Sequence, residues 1–419
     1  MNVLSRRTSK CILGLVAAAL FGAAVWWVQT IPPQPDMNTD IVHPNGQAFA
    51  GSAACQSCHA HIVQSHQQTA HFRTSQKASV ATVAGSFLVG KNSVSFGPNA
   101  YVAAERRIDG LYQVGYVDGQ AIMAQRFDIV VGSGRKGQTY LFWHKDRLFQ
   151  LPLSYFAPTH EWTNSPGYPA DQILFNRPIS GRCLECHGTY AKQTRLGQPD
   201  EGYEQNQLIL GVDCERCHGP ASRHVAYHTA HPTEQKARYI VNAAMLSRQQ
   251  RLDACALCHS GLRNARKPAF SFVTGDRLTD FSTPDYNLDS LANLDVHGNQ
   301  YGLLMASRCF QKSPSMDCQT CHSAHTVERT NLTLFSRRCL TCHQTAHATG
   351  RKALSKAGMS QNCIDCHMPV TASRQLTLRL TPGANSTPNV VRTHRIGIYK
   401  QASQDVTAYL HKLSINLSN

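Results

Sequence analysis

The sequence predicts a mainly α-helical fold with much irregular chain, together with a β-rich insertion at about residues 81–175 and an N-terminal transmembrane helix. Three observations lead to this prediction. Seven copies of one short Cys/His motif lie along the 419 residues, and six of them follow residue 182. Short runs of Val, Phe, Tyr and Ile alternate with Gly between residues 86 and 150. An apolar run follows a basic flank near the N-terminus.

The N-terminal segment predicts export. A basic flank ending at Lys10 precedes an apolar run from Cys11 to Val28, which ends in two tryptophans. A run of this length with aromatic residues at its outer end is typical of a membrane anchor. The alternative is a cleaved signal peptide with its cut site at Gly22-Ala23-Ala24. We therefore expect the chain at the periplasmic face of the inner membrane, held there by residues 1–33, or free in the periplasm if that segment is removed.

Four further parts follow this segment. They are a first motif segment (34–80), the β-rich insertion (81–175), a domain with six motifs (176–400) and a tail (401–419). The insertion contains runs such as "GLYQVGYVDG", where strand-forming residues are separated by turn residues, and it reads as a β-meander. In the six-motif domain we expect short helices and loops, with segments 190–207 and 376–390 among the loops. The tail is at most an amphipathic helix.

The motif has the form Cys-x-x-Cys-His and uses 14 of the 16 cysteines. In chain order, motifs 1 to 7 are Cys55/Cys58/His59, Cys183/Cys186/His187, Cys214/Cys217/His218, Cys255/Cys258/His259, Cys318/Cys321/His322, Cys339/Cys342/His343 and Cys363/Cys366/His367. Residues i, i+3 and i+4 share one face of a helical turn, so two thiols and an imidazole can meet one planar ligand. This spacing is the attachment sequence of c-type haem. We predict seven covalently bound haem c groups, with these seven histidines as iron ligands.

Disulfides and zinc are the alternatives for so many cysteines. Zinc sites use Cys-x-x-Cys pairs but do not require a His after every second Cys. Redox-active Cys-x-x-Cys motifs usually occur singly. Seven repeats without exception favour haem over both. Cys309 is left over beside Cys11 of the apolar run, and we expect it to be a buried, inert thiol.

The second axial ligand decides what each iron can do. Two histidine ligands fill both axial positions of the haem iron and suit electron transfer, whereas an empty axial position permits catalysis. Fourteen of the 21 histidines lie outside the motifs, which is enough to supply a second axial ligand to every iron. The candidate second ligands are His71, His224, His297, His325, His347 and His394, with His160 as a seventh. His66 and His144 are possible substitutes.

The charge balance does not predict a nucleic-acid partner. The polypeptide carries a formal net charge of +15, which would suit an anionic partner. However, its Lys and Arg residues are scattered, and seven haems would add about 14 propionate carboxylates, which are ionised at neutral pH. The haem-loaded protein should therefore be far less basic than the chain alone.

Four segments carry a family resemblance: "CQSCHAHIVQSHQQTAHFRTS" (55–75), "GVDCERCHGPASRHV" (211–225), "NCIDCHMP" (362–369) and "THRIGIY" (393–399). They resemble the cytochrome c552/c554 superfamily, which includes multihaem nitrite reductase and hydroxylamine oxidoreductase. The resemblance implies similar haem packing, with His224 and His394 as second iron ligands. It does not extend to the β-rich insertion. The nitrite reductases have a Lys in one motif, which this chain lacks, and the hydroxylamine oxidases have a cross-linked Tyr, for which Tyr203, Tyr286 and Tyr301 are candidates.

These observations favour a periplasmic electron carrier over an enzyme. We expect it to pass electrons between a membrane-side donor, such as a quinol-side protein, and a terminal acceptor through redox partner proteins. The alternative is an oxidoreductase that acts on a small nitrogen or sulfur compound at one open haem. In that case segment 161–169 of the insertion would line the pocket, with His160 near it. No catalytic residue is assigned.

Overall fold

The computed structural model describes residues 41–198, 201–286, 294–344, 361–378 and 387–416. Strand and helix each account for 28% of the structure, so the prediction of a mainly helical fold is wrong. Each motif needs only a turn or two of helix, whereas the Val-, Tyr- and Thr-rich stretches between motifs pair as antiparallel hairpins. In the described part of the chain no helix is both long and apolar enough to cross a membrane. The transmembrane helix predicted at 1–33 lies outside the described residues.

The helices are short and most of them carry a motif. Their bounds are α1 Ser52–His66, α2 Gly181–Glu185, α3 Cys214–His218, α4 Ser222–Ala230, α5 Arg248–His259, α6 Gln300–Met305, α7 Arg308–Lys312, α8 Leu332–Leu340, α9 Cys363–His367 and α10 Lys400–Asn416. Single 3₁₀ turns lie at Phe72–Thr74, Ala243–Met245, Leu278–Asp280 and Cys318–Thr320. The helix α10 belongs to the predicted tail and lies against α9.

Strands occur throughout the described residues. Their bounds are β1 Ser75–Lys77, β2 Ser93–Gly97, β3 Ala100–Arg107, β4 Gly110–Val117, β5 Gln120–Arg126, β6 Ile129–Val131, β7 Gly137–His144, β8 Arg147–Gln150, β9 Leu153–Phe156, β10 Glu161–Asn164, β11 Arg177–Pro178, β12 Gly188–Thr194, β13 Gly202–Leu210, β14 Arg263–Ala265, β15 Ser282–Pro284, β16 Val370–Leu378 and β17 Thr387–Arg392.

The first eleven strands form two antiparallel sheets. One has the order β2-β3-β4-β5, and the other has the order β1-β6-β7-β8-β11 with β9 paired to β7 and β10 paired to β9. Tight turns explain the meander: Asp118 and Gly119 join β4 to β5 with positive φ angles of 51° and 76°. An Asp-Gly pair in this conformation matches the twist of a two-residue hairpin. Inward-facing Val102, Tyr140 and Leu153 are fully buried in the apolar core between the sheets.

Three further hairpins lie among the motifs: β12 with β13, β14 with β15, and β16 with β17. The predictions of loops at 190–207 and 376–390 are therefore wrong in the parts that form strands. These strands are hard to recognise in the sequence because polar and apolar residues do not alternate regularly along them. The register of β12 and β13 shifts twice, which further breaks the simple alternation.

A second apolar core joins the large sheet to the motif region. Leu141 and Leu148 of the sheet pack in one cluster with Leu184 of α2, Tyr190 of β12 and Phe270. All five side chains are buried. Because this contact is apolar and continuous, the large sheet packs directly against the motif region. It fixes the position of motif 2 relative to the insertion.

Candidate haem attachment and ligand sites

Each motif begins on a short helix or turn. Motifs 1, 3 and 7 lie on α1, α3 and α9, and motif 4 lies at the end of α5. Motifs 2, 5 and 6 begin on α2, on the 3₁₀ turn at Cys318 and on α8, and their second Cys and their His follow directly after these elements. In motifs 5 and 6 the His amide donates to the carbonyl of the first Cys, at 2.9 Å and 3.0 Å. The described cysteines, Cys309 included, are free thiols, and burial raises the pKa of the half-buried Cys309.

Side chains directly before three motifs hold the start of the turn. Asp213 Oδ1 accepts from the amide of Cys214 at 2.6 Å. Asp317 accepts from the Thr320 amide at 3.1 Å, and Asn362 accepts from the Asp365 amide at 3.2 Å. Such N-caps satisfy amides that have no partner within the helix. Sequence reasoning missed them, although an Asp or Asn immediately before a motif Cys is a visible signal.

Four of the motif histidines are oriented by hydrogen bonds at Nδ1. His218 Nδ1 lies 2.8 Å from the Val241 carbonyl oxygen, and His367 Nδ1 lies 2.7 Å from that of Gly397. A carbonyl only accepts, so Nδ1 donates and Nε2 keeps its lone pair. His187 and His259 make corresponding contacts to Thr74 Oγ1 and Gln300 Oε1. This is the arrangement that orients a metal-binding imidazole.

Three motif histidines face a second histidine at the same separation. The ring centroids of His259 and His71, of His218 and His325, and of His322 and His394 are each 6.1 Å apart. An imidazole nitrogen binds a metal ion at about 2 Å, which puts two opposing nitrogens about 4 Å apart and their ring centroids about 6 Å apart. The observed separations therefore fit two axial ligands of one iron. The three interplanar angles differ, as this geometry allows, because both rings can rotate about the axis.

His187 of motif 2 also has a neighbouring histidine. Burial lowers its pKa, and the charge of His297 lowers it further. Burial is likewise the main cause that lowers the pKa of His394 to about 4, followed by the charge of His322. The pKa of His71 is also lowered to about 4, by burial and then by His259; its side chain is accessible, but the surrounding chain desolvates it. Neutral imidazole is the metal-binding form.

Among the described residues, no such contact joins a motif histidine to the remaining predicted ligands. His224 Nδ1 lies 2.7 Å from the Arg238 carbonyl oxygen, and its ring is 4.6 Å from His228, too close for the two to share an iron. His160 Nδ1 contacts the Tyr155 hydroxyl at 2.9 Å on the turn between β9 and β10. His347 lies outside the described residues. The roles of these three histidines stay predictions.

Several predicted attachment residues are exposed and stand apart from the contacts that join the other motifs. Among them are three residues, Cys58 of motif 1 and both Cys342 and His343 of motif 6. The Cys58 thiol lies 3.8 Å from the Ser57 hydroxyl, and the amides of Cys342 and His343 donate to the Cys339 carbonyl. In the described part of the chain, no hydrogen bond or ring contact joins any of the three to another motif. Their assignment as haem-binding residues therefore rests on the motif spacing and stays a prediction.

His66 is a buried histidine of a different kind. Its Nδ1 lies 3.2 Å from the Ala324 carbonyl oxygen and its Nε2 lies 3.0 Å from that of Val212. Both ring nitrogens therefore face carbonyl oxygens. This arrangement suits a structural histidine that joins α1 to the segments before motif 3 and after motif 5.

Cysteines of different motifs approach each other closely. The thiols of Cys55 and Cys214 lie near each other, and their interaction raises the pKa of Cys214. The same contact links Cys186 with Cys258 and Cys255 with Cys318, where it raises the pKa of Cys186 and of Cys255. These pairs join motifs 1 and 3, 2 and 4, and 4 and 5. Groups attached at the two members of each pair would be immediate neighbours.

The other motifs continue this series. The charge of Cys217 in motif 3 acts on both cysteines of motif 4. In motif 6, burial and then the charges of Cys363 and Cys321 raise the pKa of Cys339 to about 11. Motif 6 therefore lies between motifs 5 and 7. The attachment sites form one connected series, 1-3-4-5-6-7, with motif 2 beside motif 4.

Two buried glutamates inside motifs hold these sites together. Glu215 of motif 3 accepts from the amides of Ala50, Gly51 and Ala221, each at 2.8 Å. Glu185 of motif 2 accepts from the Phe270 amide at 2.7 Å and forms an ion pair with Arg182. Sequence reasoning missed both, since a Glu between two motif cysteines gives no signal of its partners.

Known proteins resemble this chain in sequence over one segment and in fold over most of its length. Residues 172–219, which include motifs 2 and 3, match the family described as cytochrome c554 and c-prime. Among solved structures, the outer cell wall cytochrome OcwA matches with a TM-score of 0.52 and 15% sequence identity, over 85% of this chain and 81% of that chain. No curated protein matches the chain. Together the two matches support a multihaem c-type cytochrome. Covalently bound haem c and electron transfer are the properties that this class implies.

Proposed function

We propose that the chain is an extracytoplasmic electron-transfer protein with seven haem c groups, one at each motif. It passes electrons between a membrane-side donor and a terminal acceptor, through redox partner proteins. Haem iron held by two histidines cycles between its ferric and ferrous states without binding a substrate. The three histidine pairs at 6.1 Å are the observation that carries this proposal, because each pair fits a closed iron.

The connected series of attachment sites supports transfer rather than isolated storage of electrons. Three pairs of motifs are joined by direct thiol contacts, at Cys55–Cys214, Cys186–Cys258 and Cys255–Cys318. A series of this kind has two ends, at motif 1 and motif 7, and a side branch at motif 2. An extracytoplasmic location is supported by the name of the structural neighbour, an outer cell wall cytochrome.

The test combines haem counting with spectroscopy of the purified, fully oxidised protein. Mass spectrometry should give seven haem additions, and electron paramagnetic resonance should show predominantly low-spin ferric iron. The three histidine pairs require at least three low-spin centres of the bis-histidine type. A protein without covalent haem, or one with mainly high-spin iron, would contradict the proposal.

The exposed thiols of Cys58 and Cys342 allow haem attachment to be tested at individual motifs. Cys58→Ser and Cys342→Ser each leave one thiol in motif 1 or motif 6, so each variant should keep its haem through a single bond or lose it. Mass spectrometry of peptides that contain these motifs checks this directly. Attached haem in both unsubstituted motifs would establish the assignment of Cys58 and Cys342, and bare thiols in either would refute it for that motif.

One observation favours the second candidate function, an oxidoreductase with one open haem. His59 of motif 1 is exposed, and among the described residues no second imidazole lies at the spacing seen in the three pairs. An open iron there would bind a small nitrogen or sulfur compound. Turnover of nitrite, hydroxylamine or sulfite, with a high-spin signal that each compound shifts, would establish this function. Absence of both effects would leave electron transfer alone.

A further inference from the structure

The start of β1 is held by contacts to the large sheet and to the chain around motifs 2 and 3. The strand pairs with β6, and the Gly132 amide, which follows β6, donates to the Thr74 carbonyl at 2.6 Å. The Gly211 amide donates to Ser75 Oγ at 2.9 Å, and Ser75 Oγ donates to the His187 carbonyl at 2.5 Å. These contacts fix the backbone at Thr74 and Ser75 relative to the histidine of motif 2.

Thr74 places its side-chain hydroxyl against the ring of His187. Thr74 Oγ1 lies 3.0 Å from His187 Nδ1, and both side chains are partly buried. A hydroxyl can donate or accept, so this contact alone does not place the proton of the ring. An imidazole that binds a metal must keep a lone pair on one nitrogen. With Nε2 as the iron-binding atom, as at His218, Nδ1 carries the proton and Thr74 Oγ1 accepts from it.

The acceptor at His187 differs in kind from those at two other motif histidines. His218 and His367 face backbone carbonyl oxygens, which any residue would supply. At His187 the acceptor is a side chain, so it depends on the identity of Thr74. A hydrogen bond from the second ring nitrogen raises the basicity of a metal-binding imidazole. Such bonds are among the means by which a protein adjusts the potential of a haem.

Motif 2 lies directly beside motif 4, so its potential affects electron exchange with the main series. Cys186 Sγ is 4.0 Å from the Leu257 carbonyl oxygen, and Cys258 Sγ is 4.0 Å from that of Glu185. The segment that carries Thr74 also carries His71, which faces the motif 4 histidine. One short stretch of chain therefore contacts the histidines of both neighbouring motifs.

We propose that Thr74 is a positioning residue for His187, whose hydroxyl accepts the Nδ1 hydrogen bond, fixes the imidazole tautomer and lowers the reduction potential of the motif 2 haem. This inference rests on the proposed function, because the haem is the one proposed at motif 2. A more basic imidazole stabilises ferric iron more than ferrous iron, since the ferric ion carries one more positive charge. The start of β1 thus sets the potential of the side branch.

The test is a potentiometric titration of the haem-loaded full chain with Thr74→Val, and with Thr189→Val as a matched control. Thr189 is a buried threonine close to His187, and its hydroxyl donates to the Gly211 carbonyl at 2.7 Å and accepts from the Asp213 amide at 2.8 Å. In Thr74→Val one haem should move to higher potential. Its oxidised-to-reduced ratio at a fixed potential should fall on the order of threefold, as for loss of one neutral hydrogen bond. Thr74→Ser, which keeps the hydroxyl, should titrate like the native chain, and Thr189→Val should move no haem.

A second background assigns the shift to motif 2. In Cys183→Ala with Cys186→Ala, which removes the motif 2 haem, adding Thr74→Val should shift no remaining haem. A shift that persists in this background would act through His71 and motif 4, and would refute the proposal.

Two results in the single variants would also refute it. One is an equal shift in Thr74→Val and Thr189→Val, which would show a general loosening around motif 2. The other is a Thr74→Val chain that titrates like the native chain. Haem content and the low-spin spectrum, measured on the same samples, test the proposed function separately. A full haem count with unchanged potentials therefore refutes this inference alone.

Discussion

His394 and His66 show how the partners of each ring separate two kinds of histidine. His394 has a ring centroid 6.1 Å from that of the motif histidine His322. His66 has a backbone carbonyl oxygen at each ring nitrogen, and its histidine neighbour at 6.2 Å, His325, belongs to no motif. Sequence reasoning ranked His394 as a ligand and kept His66 as a substitute. A sequence records neither the facing ring nor the hydrogen bonds, so only the structure distinguishes the two.

Removal of the His394 side chain should open one iron. In His394→Ala we expect a new high-spin signal in the electron paramagnetic resonance spectrum, which cyanide converts to low spin. The matched control is His66→Ala, which should lose about 1–3 kcal/mol of stability because two buried carbonyl groups lose their contacts. It should not produce a high-spin signal. The assignment of His394 fails if the two variants behave in the reverse way.

Glu215 joins separate elements from within motif 3. Its carboxylate binds the amides that precede α1 and the amide at the start of α4. In Glu215→Gln the new amide group faces the Gly51 amide and cannot accept from it. We expect a loss of about 1–3 kcal/mol in guanidinium denaturation, the cost of an unsatisfied buried donor. Glu204→Gln, which removes an exposed ion pair with Lys192, should cost about 0–1 kcal/mol. Equal losses in both variants would exclude this role of Glu215.

The Glu215 carboxylate should also make the stability of the protein depend on pH. Burial raises the pKa of Glu215, and its three backbone hydrogen bonds only partly oppose that effect. The folded protein therefore binds this proton more tightly than the unfolded chain. Its contribution to stability falls as pH rises from the unfolded pKa of about 4.3 through the folded value. Denaturation curves between pH 4 and 7 should show this fall in the native chain and lack it in Glu215→Gln.

At the level of elements, local patterns predicted the motif helices and the meander but not the later hairpins. The meander has Asp-Gly turns and fully apolar inner positions, which are visible in a short window. The strands β12, β13, β16 and β17 alternate poorly and pair across register shifts. Their pairing depends on a partner strand and on packing against α2 and α9. The predicted domain boundaries stay predictions.

At the level of the whole molecule, the series of attachment sites does not follow chain order. Motif 1 contacts motif 3, and motif 2 contacts motif 4 as a side branch. Loss of the haem at motif 4, in Cys255→Ala with Cys258→Ala, should interrupt transfer between motif 1 and motif 7. Loss of the haem at motif 2, in Cys183→Ala with Cys186→Ala, should leave that transfer intact. Stopped-flow reduction with a protein donor checks this order, and equal slowing in both variants would contradict the branched arrangement.

The sequence by itself predicted the haem attachment chemistry, because the Cys-x-x-Cys-His spacing is contained within five consecutive residues. It also indicated the meander, whose turns and apolar alternation are local. The tertiary structure decided which histidine faces which motif, which motifs are neighbours, and that the fold is not mainly helical. The histidine partners of motifs 4 and 5, His71 and His394, lie far along the chain from those motifs. Contacts at such separations depend on how hairpins and helices pack together, and packing is a property of the folded chain as a whole.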